Sequence, residues 1–137
     1  MKTFTKFNVT VNEYEIYKYT QNLNIVNIPS IVYYDPDLQI MTTQLIDDLN
    51  IADTWSDNAQ EVPDNQYEQI VHTVCSLRNN GIEYPDITGY NFIYHDEIMW
   101  IVDFEHAKLT TKISDPFINL FCKWKISDKK QWNPRFR

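Results

Sequence analysis

The polar and apolar positions of the chain fall into two alternating periods. Residues 2–9, KTFTKFNV, set Phe4, Phe7 and Val9 among polar neighbours and predict a short strand. Asn12 offers a cap for a helix over EYEIYKYTQNL, where Tyr14, Ile16/Tyr17 and Leu23 approximate a helical stripe. Beyond Pro29, SIVYYD (30–35) and LQIMTTQLI (38–46) are β-rich runs around Pro36-Asp37, which predicts a hairpin. The acidic, polar stretch 47–65 reads as a connector with one helical turn. The cleanest helix spans about 66–79, with Tyr67, Ile70/Val71, Val74 and Leu77 on one face and Asn80-Gly81 as its stop. A loop around Asp86 follows, then a strand NFIYH, a turn at Asp96-Glu97 and a strand IMWIVDF. A short helix within 115–124 and a basic tail complete the chain. This order of strand, helix, hairpin, helix and hairpin predicts an α+β fold.

Composition narrows the classes. At 137 residues, 43% apolar and 15% aromatic, the chain fits one domain with a substantial core. Its parts are 1–46, a connector 47–65, and 66–137. A net charge of −7 argues against a sequence-independent nucleic-acid binder, which needs a basic surface. An acidic protein that handles phosphate needs a metal ion or a few well-placed cations. No window resembles a signal peptide or a membrane span, so a soluble, cytoplasmic protein without membrane partners is expected. Cys75 and Cys122 lie far apart in sequence and form no metal or redox spacing; Cys75, inside an apolar helical pattern, reads as a buried thiol.

The chemistry concentrates in YPDITGYNFIYHDEIMWIVDFEH, Tyr84 to His106. Asp86 and Asn91 lie five positions apart on a loop entering a strand, and Asp103 follows the returning strand. The hairpin between them lets Asp103 approach Asn91. A carboxylate and an amide oxygen converging from two loop ends suit Mg²⁺, which takes hard oxygen ligands and keeps waters or phosphate oxygens. Asp86 is then free to orient or deprotonate a hydroxyl.

LRNNGIEYPDITGYNFIYHDEIMWIVDFEHA resembles the catalytic core of the protein-kinase-like superfamily. Gly81-Ile82 match its Gly-Ile pair, Asp86 its catalytic-loop Asp, Asn91 its metal-binding Asn, and Asp103-Phe104 the start of its second metal motif. The resemblance covers roughly residues 4–110. It implies a truncated protein-kinase-like fold, with a small N-terminal sheet and one helix leading into a shortened C-lobe. It also implies ATP and Mg²⁺ as ligands and a hydroxyl as phosphoryl acceptor. Upstream, Lys6 stands where the family keeps its phosphate-binding Lys (Lys2 being the alternative), with Glu13 or Glu15 as ion-pair partner. Gln44 and Asp47 fall at the hinge that holds adenine.

The departures are specific. There is no G-x-G-x-x-G, so backbone amides cannot approach the phosphates closely. Tyr84-Pro85 replace His-Arg, which removes the His that ties the catalytic loop to the second metal motif. Thr88 stands where many kinases carry a Lys, and Glu105 replaces the Gly of Asp-Phe-Gly. Only 34 residues follow Asp103, fewer than a peptide-binding lobe uses. Two readings follow. One is a minimal, atypical kinase. The other is a kinase mimic that acts by binding a kinase or its partner. The Asn, Ile, Tyr and Lys usage points to an AT-rich genome, such as that of a large DNA virus or an intracellular parasite.

Other residues carry blander expectations. His72 is a helix boundary residue, His95 and Asp96-Glu97 are solvated turn residues, and His106 is a surface residue within reach of a phosphate. Tyr33-Tyr34 and Trp100 pack in the core or at a sheet edge, and Trp55 plugs the core or marks a contact. The basic tail folds Trp132 and Phe136 back on the domain, the alternative being a partner or phosphate contact.

Overall fold

The computed structural model describes residues 1–136; Arg137, the last basic residue of the tail, lies outside them. Strand β1 (Thr3–Lys6) is shorter than the 2–9 pattern, because Asn8 takes a left-handed backbone with φ of 60° and turns the chain. Helix α1 (Val11–Leu23) begins before the expected cap. Thr10 caps it, accepting from Glu13 N, so Asn12 lies inside the first turn. Strands β2 (Ile31–Asp35) and β3 (Ile40–Gln44) form the expected hairpin, and β1 adds to its other side in the antiparallel order β1-β3-β2. Tyr34 of β2 stacks on Tyr14 of α1 at 4.1 Å, whereas Tyr33 is exposed.

The connector is more ordered than its polarity predicts. It holds helix α2 (Ile51–Thr54), capped by Asn50, and a 3-10 turn at Ala59–Glu61. Asn50 bridges Ile93, and Ala52 packs so closely on Gly89 that a Cβ there would meet Ala52 N at 3.0 Å. Trp55 is neither a core plug nor isolated; it is partly exposed, its indole N–H donating to Gln66. Helix α3 (Asp64–Asn79) starts after Pro63 and ends at Gly81, whose φ of 78° makes the turn that glycine permits.

Beyond α3, β4 (Ile82–Glu83) pairs with β7 (Lys108–Leu109), a two-residue ladder that no periodicity announced. Strands β5 (Phe92–His95) and β6 (Ile98–Ile101) form the second expected hairpin. Asp96 and Glu97 both have positive φ, the mirror-image turn that matches strand twist. Strand β6 stops three residues short of the expected IMWIVDF because Asp103 leaves the extended region. Helix α4 (Pro116–Phe121) is shorter than 115–124 and is capped by Asp115 with Pro at its start.

The result is α+β, with three small antiparallel sheets and four helices among the described residues, compatible with a shortened kinase-like fold. One apolar cluster runs from Val9, Tyr17 and Met41 through Tyr84, Phe92 and Phe104 to Ile118 and Trp132. The cysteines, remote in sequence, meet where α3 passes the end of α4. The Cys75 thiol lies 3.7 Å from the Cys122 carbonyl, and both thiols are free and half-buried rather than core-buried.

Candidate functional site

Three elements deliver charge to one point. Lys6 closes β1, Glu13 sits in the first turn of α1, and Asp103 follows β6. Lys6 Nζ lies 2.6 Å from Glu13 Oε2 and 2.9 Å from Asp103 Oδ1. Glu13 is 3% exposed and therefore depends on that ammonium. Burial pulls the Lys6 pKa down, yet the hydrogen bonds from both carboxylates outweigh it and hold the ammonium above the usual lysine range. Burial pushes the Glu13 carboxyl up, and Lys6 offsets this only in part because Asp103 and Glu105 add negative charge nearby. Lys2, the alternative lysine, is exposed and paired with Asp47 at 2.8 Å, away from this cluster. Glu15 takes no part in it.

Asp103 has φ of 63°, a left-handed conformation that Asp tolerates because its side chain bonds locally. Here Oδ1 accepts from Glu105 N at 3.0 Å as well as from Lys6. Phe104, fully buried behind it, packs edge-on against Tyr17 of α1 at 5.3 Å and Tyr84 at 5.2 Å. A backbone-strained aspartate is thus fixed by ions in front and aromatic rings behind.

The loop carrying Asp86 is held by neutral groups. Its three consecutive carbonyls, of Pro85, Asp86 and Ile87, accept respectively from Asn133 Nδ2 (2.8 Å), Asn91 Nδ2 (2.9 Å) and Asn133 N (3.0 Å). The Tyr84 hydroxyl lies 2.7 Å from the Val102 carbonyl and 2.6 Å from that of Asp103. The tie whose loss the missing His implied is therefore present, made by a phenol. Burial raises the Asp86 pKa; the Asn91 amide opposes that, and the charge of Asp103 adds to it.

Beside the ion cluster lies a cleft of about 340 Å³, whose lining includes Phe4, Lys6, Glu13, Gln44, Tyr90 and Asp103; Asp86 and Asn91 do not line it, and their loop reaches it through Tyr90. Gln44 lines it at the end of β3. Asp47 does not; its neighbours Asp48, Leu49 and Asn50 do, because Asp47 turns out to Lys2. The structure thus gathers Lys6, Glu13 and Asp103, sets Gln44 in the same cleft, joins Asp86 to Asn91 on the adjoining loop, and leaves Asp47 outside.

The hydrogen bonds described use Asp103 Oδ1 and Asn91 Nδ2, which leaves Asp103 Oδ2 and Asn91 Oδ1 as hard oxygen donors. Among the described residues no three His, Cys, Asp or Glu side chains gather as a metal cluster. The Val102 N–H donates to the Asn91 carbonyl at 2.9 Å, which brings the backbone of Asn91 beside the strand end before Asp103. An amide and a carboxylate oxygen are of the hard type Mg²⁺ takes alongside water and phosphate, and too few for a structural metal cage.

Asn133, Asp115 and Tyr84 do work that the sequence pattern did not reveal. Asp115, 3% exposed, caps α4 and also accepts from Asn133 Nδ2 and from Arg135 at 2.9 Å. The Asp-Pro pair opening a helix was a readable cap signal; its bond to the tail was not. The tail does fold back. Trp132 is buried, and Phe136 lies against His106 at 5.1 Å, so His106 rests on a ring.

No family model matches the chain. It is similar to the EKC/KEOPS complex subunit BUD32 of Enterocytozoon bieneusi (strain H348), with 26% identity over 114 residues, covering 74% of this chain and 55% of the relative. The chain spans about half the length of that curated relative. The likeness points to the kinase-like superfamily and no finer.

Proposed function

We propose that this protein binds ATP with Mg²⁺ in the cleft and passes the terminal phosphoryl group to a hydroxyl. Lys6, oriented by Glu13, meets the phosphates. Asn91 and Asp103 hold the metal, which when bound neutralises the charge of the transferring group. Gln44 and the chain after it border the base. Asp86 accepts the proton of the attacking hydroxyl as the oxygen–phosphorus bond forms and ADP leaves. Its raised pKa suits a general base, since proton affinity near working pH aids transfer. The observation that carries this reading is the ion cluster of Lys6, Glu13 and Asp103. Three charged groups from separate elements share one point at the mouth of a cleft, where packing alone has no need of them.

A second reading, binding without turnover, also has an observation in its favour. Lys6 already occupies an oxygen of Asp103, and the relative is named as a complex subunit, which makes a protein partner a reasonable proposal here too. Calorimetry with a non-hydrolysable ATP analogue separates the readings. Metal-dependent binding that Asp103→Asn abolishes supports the cleft assignment, and radiolabel transfer lost in Asp86→Ala supports catalysis. Heat that is absent both with and without Mg²⁺ sinks the enzyme reading.

A further inference from the structure

Tyr90 borders two cavities. One is the cleft already described. The other is a smaller pocket of about 240 Å³ lined by Asp57, Thr88, Gly89, Tyr90, Trp132 and Phe136. One side of it is the loop beginning two residues after Asp86. The other is the C-terminal segment, which Asn133 fastens to the Pro85 and Ile87 carbonyls. Loop and wall are thereby fixed to one another. A group seated here keeps a set position along the chain from Asp86.

The lining has one chemical character. Three aromatic residues line it, with Tyr90 55% exposed, Phe136 half-buried and Trp132 buried, and among the described residues the sole charged lining group is the exposed carboxylate of Asp57. Among the described residues no Lys or Arg lines the pocket. Ring faces and a carboxylate together attract a cation. Phe136 already has the Arg135 guanidinium 5.6 Å from its centroid, and that guanidinium is engaged by Asp115. The Trp132 ring borders the pocket, and its indole N–H is buried without a hydrogen-bond partner.

We propose that this pocket is the acceptor subsite and takes a cationic nitrogen carried by the hydroxyl-bearing substrate. The proposal rests on the phosphotransfer reading for its name but not for its test. An amino alcohol and a basic side chain beside a seryl hydroxyl present the same chemistry. The full-length ¹⁵N-labelled chain is titrated with choline, with its uncharged counterpart 3,3-dimethylbutan-1-ol, and with a short arginine-containing seryl peptide. The readout is the Trp132 indole resonance, assigned by Trp132→Phe or, if that variant does not fold, by elimination with Trp55→Phe, Trp100→Phe and Trp124→Phe. A saturable shift with choline or the peptide is expected, at least tenfold weaker in Asp57→Asn and absent with the neutral alcohol. A response to choline alone identifies an amino-alcohol acceptor, and a response to the peptide alone a peptide. No shift with either cation, equal binding of the neutral alcohol, or unchanged affinity in Asp57→Asn overturns the proposal. A blank nucleotide titration with intact cation binding overturns the phosphotransfer reading instead, and leaves a cation site.

Discussion

Lys6 reaches the cleft from β1 and holds Glu13 and Asp103 by charge, whereas the adjoining Asp86 loop is held by amides and a phenol. The first flank concentrates one ammonium and two carboxylates at a point that is only partly screened by water. Among the described residues the second uses no ion pair to the loop, yet gives each of three consecutive carbonyls a donor. Charge is the arrangement to expect where phosphate and metal must exchange with protein groups, since ionic partners can be traded. Neutral hydrogen bonds are the arrangement to expect where a base must stay put while charge moves past it. Under the proposed function the flanks would take different tasks, substrate handling and base positioning, and variants on each flank test them separately.

The largest effect is expected at Asp86. Asp86→Asn should lower phosphoryl transfer by roughly 10²- to 10⁴-fold, the range for loss of a general base, while Mg²⁺-analogue binding stays within about twofold. Stability should move the other way. The folded-state pKa is raised, mainly by burial, so ionisation costs the folded state, and that cost is present at pH values above the folded pKa. Thermal melting at pH 7 to 8 should rise in Asp86→Asn. A fall would mean that the carboxylate, and not the Asn133 and Asn91 amides, holds the loop.

Breaking the charged flank comes next. Lys6→Met strands the buried Glu13 carboxylate and should destabilise the protein by about 2 kcal/mol, the cost of an unsatisfied buried charge. Adding Glu13→Gln should recover more than half of that loss, because it removes the stranded charge. Urea denaturation of the two single variants and the double variant reads this out. Strict additivity would show that Lys6 and Glu13 are neighbours without being partners.

On the neutral flank, Asn133→Ala removes donors to Pro85 and Asp115 and should cost about 1–2 kcal/mol. Turnover should fall more than nucleotide affinity, since what moves is the base and not the cleft. Asn133→Asp keeps the shape but sets a second carboxylate beside Asp115. It should be worse than Asn133→Ala at neutral pH and recover as pH falls. Equal losses in turnover and in nucleotide affinity would place Asn133 with the general scaffold.

Those residues also mark what was legible in the sequence. The hairpin from Phe92 to Ile101 could be read because both strands obey a period of two around a turn, and α3 because its apolar face obeys the helical period. Lys6 and Glu13 followed from the resemblance, and the choice over Lys2 and Glu15 became visible only in space. Tyr84 misled the reading, because its standing in place of the family's His implied a lost tie, whereas its phenol bonds the Val102 and Asp103 carbonyls. Asn133 was invisible for another reason: its partner Pro85 is 48 residues away, and a single side-chain amide leaves no periodic trace. The β4–β7 ladder and the Gly89–Ala52 contact fail the same way, being too short or too local to make a pattern. Asp47 was drawn into the site by its neighbourhood, and one exposed pair with Lys2 takes it out.

The smallest effect sharpens the comparison most, because between the two flanks only the charged one should respond to alkaline pH. The Lys6 pKa is raised in the folded state, so its contribution is fully present below the ordinary lysine value, about 10.4, and is lost as pH rises through the higher folded value. The stability gap between wild type and Lys6→Met should narrow across alkaline pH, by about 1 kcal/mol or less for a partly exposed ammonium. Glu13 carries a dependence of the same sign, but in its own, more acidic range. Its folded pKa is also raised, so its own contribution grows as pH falls through that value and levels off below the unfolded one. The gap between wild type and Asn133→Ala should stay flat through the alkaline range, since neither Asn133 nor the carbonyls it meets titrate there. Urea midpoints of the three proteins at matched ionic strength from pH 7 to 11 decide it. A Lys6→Met gap as flat as that of Asn133→Ala would mean that Lys6 acts through its buried methylenes and not its charge, and the two flanks would then be held by the same chemistry.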